Sequence, residues 1–196
     1  MTPRTAILER KTRETDIRVS INLDGTGTGK IDTGIGFFDH MLECFARHGL
    51  FDLEVSCAGD LQVDSHHTIE DVGIALGEAL KAALGDKKGI RRYGSFILPM
   101  DEVLILCAVD LSGRPYYASD VGYTVDKLGA LDTEMIGDFF YALSYSAGMN
   151  LHFQQLRGGN NHHMAEACFK ALAKALDAAT SIDPRVSGVW STKGTL

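Results

Sequence analysis

No apolar run in this 196-residue chain approaches the roughly 20 residues that a helix needs to span a bilayer, so no membrane association is expected. The opening Met1-Thr2-Pro3-Arg4-Thr5 leads into Ala6-Ile7-Leu8 without an apolar signal core or a small-residue cleavage site, which predicts a cytoplasmic protein. Nor is there a C-x-x-C pair. Cys44, Cys57, Cys107 and Cys168 are scattered among apolar residues, where a thiol acts as a small hydrophobe, and neither a disulfide framework nor a zinc knuckle is expected. Basic residues are also short, with 19 Lys and Arg against 26 Asp and Glu and a net charge of -7. Binding along a nucleic-acid strand needs the opposite excess, so no nucleic-acid partner is expected. What remains is an ordinary globular composition, 45% hydrophobic and 23% charged, with enough apolar residues for a substantial core.

The chain repeats itself. At an offset of 96 residues, HHTIEDVGIALGEALKAAL from His66 aligns without gaps on HHMAEACFKALAKALDAAT from His162, and nine of 19 positions are identical. Unrelated segments share about one at ordinary residue usage. ETDIRVSINLDG from Glu14 similarly resembles EVLILCAVDLSG from Glu102 at an offset of 88. Two Phe-rich segments, Gly36-Phe37-Phe38-Asp39-His40 and Gly137-Asp138-Phe139-Phe140, precede the two His pairs by similar distances. Two halves of common design are implied, with a seam near 89–94.

Each half reads as strands, a helix, a strand and a longer helix. β-branched and apolar residues mark strands at 17–23 and 103–109, and alternation marks further strands at 51–57 and 151–156. Apolar residues at helical spacing predict helices over 37–47 and 133–147. Ser65 is the expected N-cap of the first long helix, and Asn160 or Asn161 that of the second. An α/β protein of two pseudo-symmetric halves follows.

The chemistry concentrates in the duplicated His-His-x-x-Glu. A helix turns about 100° per residue, so Glu70 lies about 40° from His66 and about 60° from His67, all on one side. The two imidazoles diverge from each other by about 100°, which suits two different ions better than joint chelation of one. His162, His163 and Glu166 repeat the set. Imidazole with carboxylate and no thiolate suits Mn, Fe, Co, Ni or Zn rather than a Cys-rich structural zinc. A lone motif of this kind reads first as the polar face of an amphipathic helix. Its recurrence while the intervening Thr68-Ile69 and Met164-Ala165 diverged favours ligation.

His40 can supply a further imidazole oriented by Asp39, or the pair can simply cap a helix. His48 and His152 read as structural. A basic stretch at Lys87-Lys88-Gly89-Ile90-Arg91-Arg92, Arg114 after a Gly turn, and Ser191-Thr192-Lys193-Gly194 offer guanidinium, ammonium, hydroxyl and backbone donors for a phosphate.

Together these segments resemble the imidazoleglycerol-phosphate dehydratase family: Phe38-Asp39-His40-Met41-Leu42, His66-His67-Thr68-Ile69-Glu70-Asp71, Asp110-Leu111-Ser112-Gly113-Arg114-Pro115, His162-His163-x-x-Glu166-Ala167 and Ser191-Thr192-Lys193-Gly194. They run in the family's order from about Ile7 to Leu196. The resemblance implies one domain over 1–196, of mixed α/β (α+β) class and similar to the second domain of ribosomal protein S5. Half-domains of about 5–93 and 94–186 would be followed by a substrate-binding tail at 187–196.

It also implies two Mn(II) ions per active site, held between subunits of a twenty-four-chain homo-oligomer. The implied ligands are His40, His66, His67 and Glu70 from the first half and His162, His163 and Glu166 from the second. One departure is visible. A histidine frequent in the family falls here on Asp138, whose carboxylate is also a donor that Mn(II) accepts. Implied substrate contacts are Glu14, the run His66, His67, Thr68, Ile69 and Glu70, then Arg92, Arg114, Ser191, Thr192 and Lys193.

The reaction so implied is dehydration of imidazoleglycerol phosphate to imidazole-acetol phosphate in histidine biosynthesis. The departing proton is not next to a carbonyl, so the imidazole ring must relay electrons. Imidazolate, stabilised by metal at its nitrogens, can expel the adjacent hydroxyl through a diazafulvene-like intermediate. Glu14, outside the duplicated motif, is the first choice as proton-transfer group, with Glu166 as the alternative. A dimetal phosphoesterase and a non-enzymatic metal-binding cage are the competing readings. The first usually relies on Asp-rich motifs, and the second, in ferritin-like form, on four long helices without strands.

Overall fold

The computed structural model describes residues 3–196, and the order of its elements repeats. In the first half, β1 (Thr5–Lys11), β2 (Thr15–Asn22), β3 (Gly29–Asp32), α1 (Gly36–Gly49), β4 (Asp52–Gly59) and α2 (His66–Leu84) follow one another. The second half gives β5 (Tyr93–Met100), β6 (Val103–Asp110), β7 (Tyr116–Ser119), α3 (Glu134–Ala147), β10 (Asn150–Arg157) and α4 (Asn161–Thr180), with a small β8 (Lys127–Leu128) and β9 (Leu131–Asp132) hairpin inserted before α3. The sheets run β1-β2-β4-β3 and β5-β6-β10-β7. Each has two antiparallel pairings and one parallel edge, β3 on β4 and β7 on β10.

Alternation fixes which faces pack inward. Ile17, Val19 and Ile21 of β2 and Val103, Ile105, Cys107 and Val109 of β6 are buried, while their neighbours along each strand are exposed or half-buried. The helices fill the space between the sheets: α1 and α2 lie on the first, α3 and α4 on the second, and α2 packs on α3 as α1 packs on α4. Phe38, Phe139 and Phe169, from three helices, meet with ring centroids 5.2 to 6.4 Å apart at the centre of this layer. Burying each such ring contributes about 2 kcal/mol.

Close approach is required at one strand. A Cβ on Gly94 would lie 1.8 Å from the Ala175 carbonyl oxygen, so only glycine lets β5 meet α4 there.

The caps show one difference from expectation. Asn160 accepts from the His162 and His163 amides at the start of α4. At α2, however, Ser65 makes no capping bond, and Asp64 accepts the His66 N–H instead at 2.8 Å. Ser65 adopts a helical conformation that turns its hydroxyl toward Asp132, at 3.4 Å. Both caps hold a His pair in a first turn. Among the described residues no helix is long and apolar enough to cross a membrane.

Candidate metal and substrate site

Three ligand atoms converge at the start of α4. His162 Nε2 lies 3.1 Å from Glu166 Oε2, and His40 Nε2, reaching across from α1, lies 3.4 Å from the same oxygen. All three fall within 4.8 Å of one another. Glu166 is 7% exposed, and Lys170, one turn further, approaches its other oxygen at 2.5 Å. Burial alone raises the Glu166 carboxyl, but Lys170, His162 and His40 outweigh it and hold the group below the ordinary carboxylate value. Asp39 does not orient His40. Its carboxylate accepts the Thr33 amide at 2.9 Å and the Thr33 hydroxyl at 2.5 Å, which pins the loop before α1.

The repeat places a weaker counterpart on α2. His66 Nε2 is 3.7 Å from Glu70 Oε2, and both residues are more exposed than Glu166. α1 and α3 correspond at an offset of 98, each ending in a left-handed residue, Leu50 and Gly148, so Asp138 occupies the position of His40. Asp138 belongs to no three-ligand group among the described residues. An aspartate carboxylate ends closer to the backbone than imidazole Nε2, so the two equivalent positions offer donors of different reach.

The second histidine of each motif turns away from the first. His66 and His67 rings are 6.1 Å apart at 79°, and His162 and His163 rings 6.2 Å apart at 81°. His67 Nδ1 meets Asp60 at 3.0 Å while its Nε2 faces Glu14 at 3.8 Å. His163 Nδ1 meets Glu102 at 3.1 Å while its Nε2 faces Asp101 at 3.9 Å. The hydrogen bond to Asp60, reinforced by the charge of Glu14, raises the His67 imidazolium pKa. Glu102 is lowered to about 2, first by the Asn160 amide and then by its own amide and His163. Asp60, Asp101, Glu102 and Lys170 were not legible as site residues from motif spacing. Glu102 alone had a signal, because the repeat sets it opposite Glu14.

This donor set fits a divalent ion that accepts imidazole and carboxylate. Cys44 Sγ lies 4.0 Å from His40 Nε2, and burial, with the charge of Glu166, pushes its thiol up to about 11.

The basic candidates gather elsewhere. Arg92 is buried, and its guanidinium grips Asp110 through Nε at 2.7 Å and Nη2 at 3.0 Å and donates from Nη1 to the Trp190 carbonyl at 2.9 Å. The end of the tail lies against the Arg114 turn, since a Cβ on Gly113 would be 2.9 Å from the Leu196 carbonyl carbon. Arg114, Thr192 and Lys193 are exposed, and the half-buried Ser191 accepts the Lys193 amide through its hydroxyl at 3.2 Å. Arg92 N–H also donates to Ala179 O in the last turn of α4, whereas His162 and His163 stand in its first turn. That separation is about 25 Å at 1.5 Å per residue.

The imidazoleglycerol-phosphate dehydratase family model matches residues 33–176. The imidazoleglycerol-phosphate dehydratase of Lachnoclostridium phytofermentans is 64% identical over 193 residues, covering 98% of both chains. The chain belongs to the imidazoleglycerol-phosphate dehydratase family. The Acetivibrio thermocellus member is 58% identical over 96% of this chain and 97% of its own. Crystal structures of the Staphylococcus aureus and Pyrococcus furiosus dehydratases share the fold, each with a TM-score of 0.83, at 37% and 40% identity. They cover 91% and 96% of this chain and 99% and 100% of their own.

For a dehydratase of this family the matched span holds both His-His-x-x-Glu helices and His40, while Glu14 and the tail lie outside it. Within the span, Thr68 and Ile69 are fully buried. Neither residue exposes side chain or backbone at the surface of this chain.

Proposed function

We propose that this protein is a cytosolic Mn(II)-dependent hydro-lyase that removes water from imidazoleglycerol phosphate to give imidazole-acetol phosphate in histidine biosynthesis, with two ions per active site. Family membership supports the reaction, and the duplicated imidazole–carboxylate sets support the metals. When bound, such ions supply Lewis acidity at the ring nitrogens of the substrate. His40, His162 and Glu166 would hold one, and His66 with Glu70 contribute to a comparable set. His67 and His163 would direct Nε2 outward to complete sites with other groups, and Asp138 remains an additional donor.

Glu14 is the proton-transfer group in this reading. It is half-exposed, accepts no side-chain hydrogen bond among the described residues, and stands on the Nε2 side of His67. Glu166, buried and held ionised by Lys170, serves better as a ligand than as an acid.

One observation carries the assembly. Metal-side and phosphate-side residues lie at opposite ends of α4, about 25 Å apart by helical rise. A three-carbon chain bearing one ring and one phosphate cannot span that distance. The phosphate is therefore met by Arg114, Ser191, Thr192 and Lys193 of a second chain, with Arg92 fastening their tail through Trp190. A homo-oligomer follows, and the family resemblance implies twenty-four chains. No membrane or nucleic-acid partner enters this account.

Purified protein stripped by chelation and resupplied with Mn(II) is expected to form ketone from imidazoleglycerol phosphate without releasing phosphate. Metal-independent turnover, no product, or phosphate release would overturn the reading.

A further inference from the structure

Glu14 and Glu102 are equivalent in the repeat, each in the turn between the first two strands of its half and each facing the second histidine of a motif. They face different nitrogens. Glu14 approaches Nε2 of His67, whereas Glu102 bonds Nδ1 of His163 and is anchored by the Asn160 N–H at 2.6 Å. In the first half the Nδ1 side is taken by Asp60, at the end of β4, with both carboxylate oxygens within 3.2 Å of His67 Nδ1.

Two carboxylates from unrelated positions thus meet the same nitrogen of two equivalent histidines. A carboxylate accepts a proton-bearing nitrogen and holds imidazole in the Nδ1–H tautomer. The lone pair is then on Nε2, the outward-facing atom.

We propose that Asp60 and Glu102 are positioning residues that fix the ring orientation and tautomer of His67 and His163, so that both present Nε2 to metal. This rests on the metal reading above. The repeat has divided its two turn glutamates: Glu102 is committed to holding a ligand, and Asp60 relieves Glu14 of that task. Glu14 is left free for the substrate.

Two measurements on the full chain test this. The first is Mn(II) uptake by metal-free protein in competition with a chelator. Asp60→Ala and Glu102→Ala should each weaken one class of site by about 10- to 100-fold. Asp60→Asn should stay within a few-fold of wild type, because its amide oxygen still accepts from Nδ1. Glu102→Gln should not rescue as well, since one amide cannot accept from both Asn160 and His163.

The second is the solid-state ¹⁵N spectrum of histidine-labelled, metal-free protein. Its Nδ1–H signals should include two from His67 and His163, of which each alanine variant shifts one. Unchanged spectra in both alanine variants would overturn the proposal, as would Asp60→Asn binding as weakly as Asp60→Ala, which would make Asp60 a direct ligand. If wild type took up no Mn(II), the metal reading would fall, and the spectra would still decide the tautomers.

Discussion

At Glu14 and Glu166 two carboxylates stand in contrasting surroundings, and the proposed function gives them different tasks. Glu166 is enclosed by two imidazoles and an ammonium, and Glu14 is half-exposed, faces only His67 Nε2 at 3.8 Å and accepts no side-chain hydrogen bond among the described residues. Glu14→Gln is therefore expected to retain metal and assembly while losing at least about 100-fold in kcat, the usual share of a general acid or base. Steady-state kinetics beside a metal count checks this, and near-normal kcat removes Glu14 from the mechanism. The candidate ligands were legible in the sequence because histidine pairs recur at fixed spacing. Their supports were not: Asp60 and Lys170 act through contacts set by a strand end and a helical turn, and neither stands in a repeated pattern.

The long helices and central strands followed from periodicity because each buries one complete face, as Ile17, Val19 and Ile21 do on β2. β3 and β7 escaped it. They are four residues each, exposed or half-buried throughout, and owe their place to parallel pairing with β4 and β10. Gly94, where β5 touches α4, gives a sharp test at this scale. Gly94→Ala forces strand and helix apart and is expected to cost about 3 kcal/mol, read as a lower urea midpoint.

A second test concerns Asp52 at the start of β4. Its carboxylate accepts the Thr26 and Thr28 amides at 2.9 and 3.2 Å, and chiefly the Thr26 bond holds its pKa below the ordinary value. A depressed carboxylate stabilises the fold above its unfolded pKa of about 4 and loses that contribution as pH falls through its folded value. Wild type should therefore exceed Asp52→Asn in unfolding temperature at neutral pH, with the gap closing below about pH 4. A gap independent of pH would contradict the assignment.

For the whole molecule, duplication produced two His-His-x-x-Glu helices on one design but not two identical candidate sites. His40 has only Asp138 as its counterpart, and the basic tail follows the second half alone. The separation along α4 was hidden in the sequence, since adjacency of motifs says nothing about which end of a helix a distant loop will meet. Under the proposed function it makes the active site a joint property of neighbouring chains. The most direct measurement is co-assembly of His162→Ala, which loses the metal side, with Lys193→Ala, which loses the phosphate side. Each variant alone should be inactive, and mixed assemblies should regain a substantial part of wild-type turnover. Mixed assemblies as inactive as their parents would place both ends of the site in one chain and contradict the account.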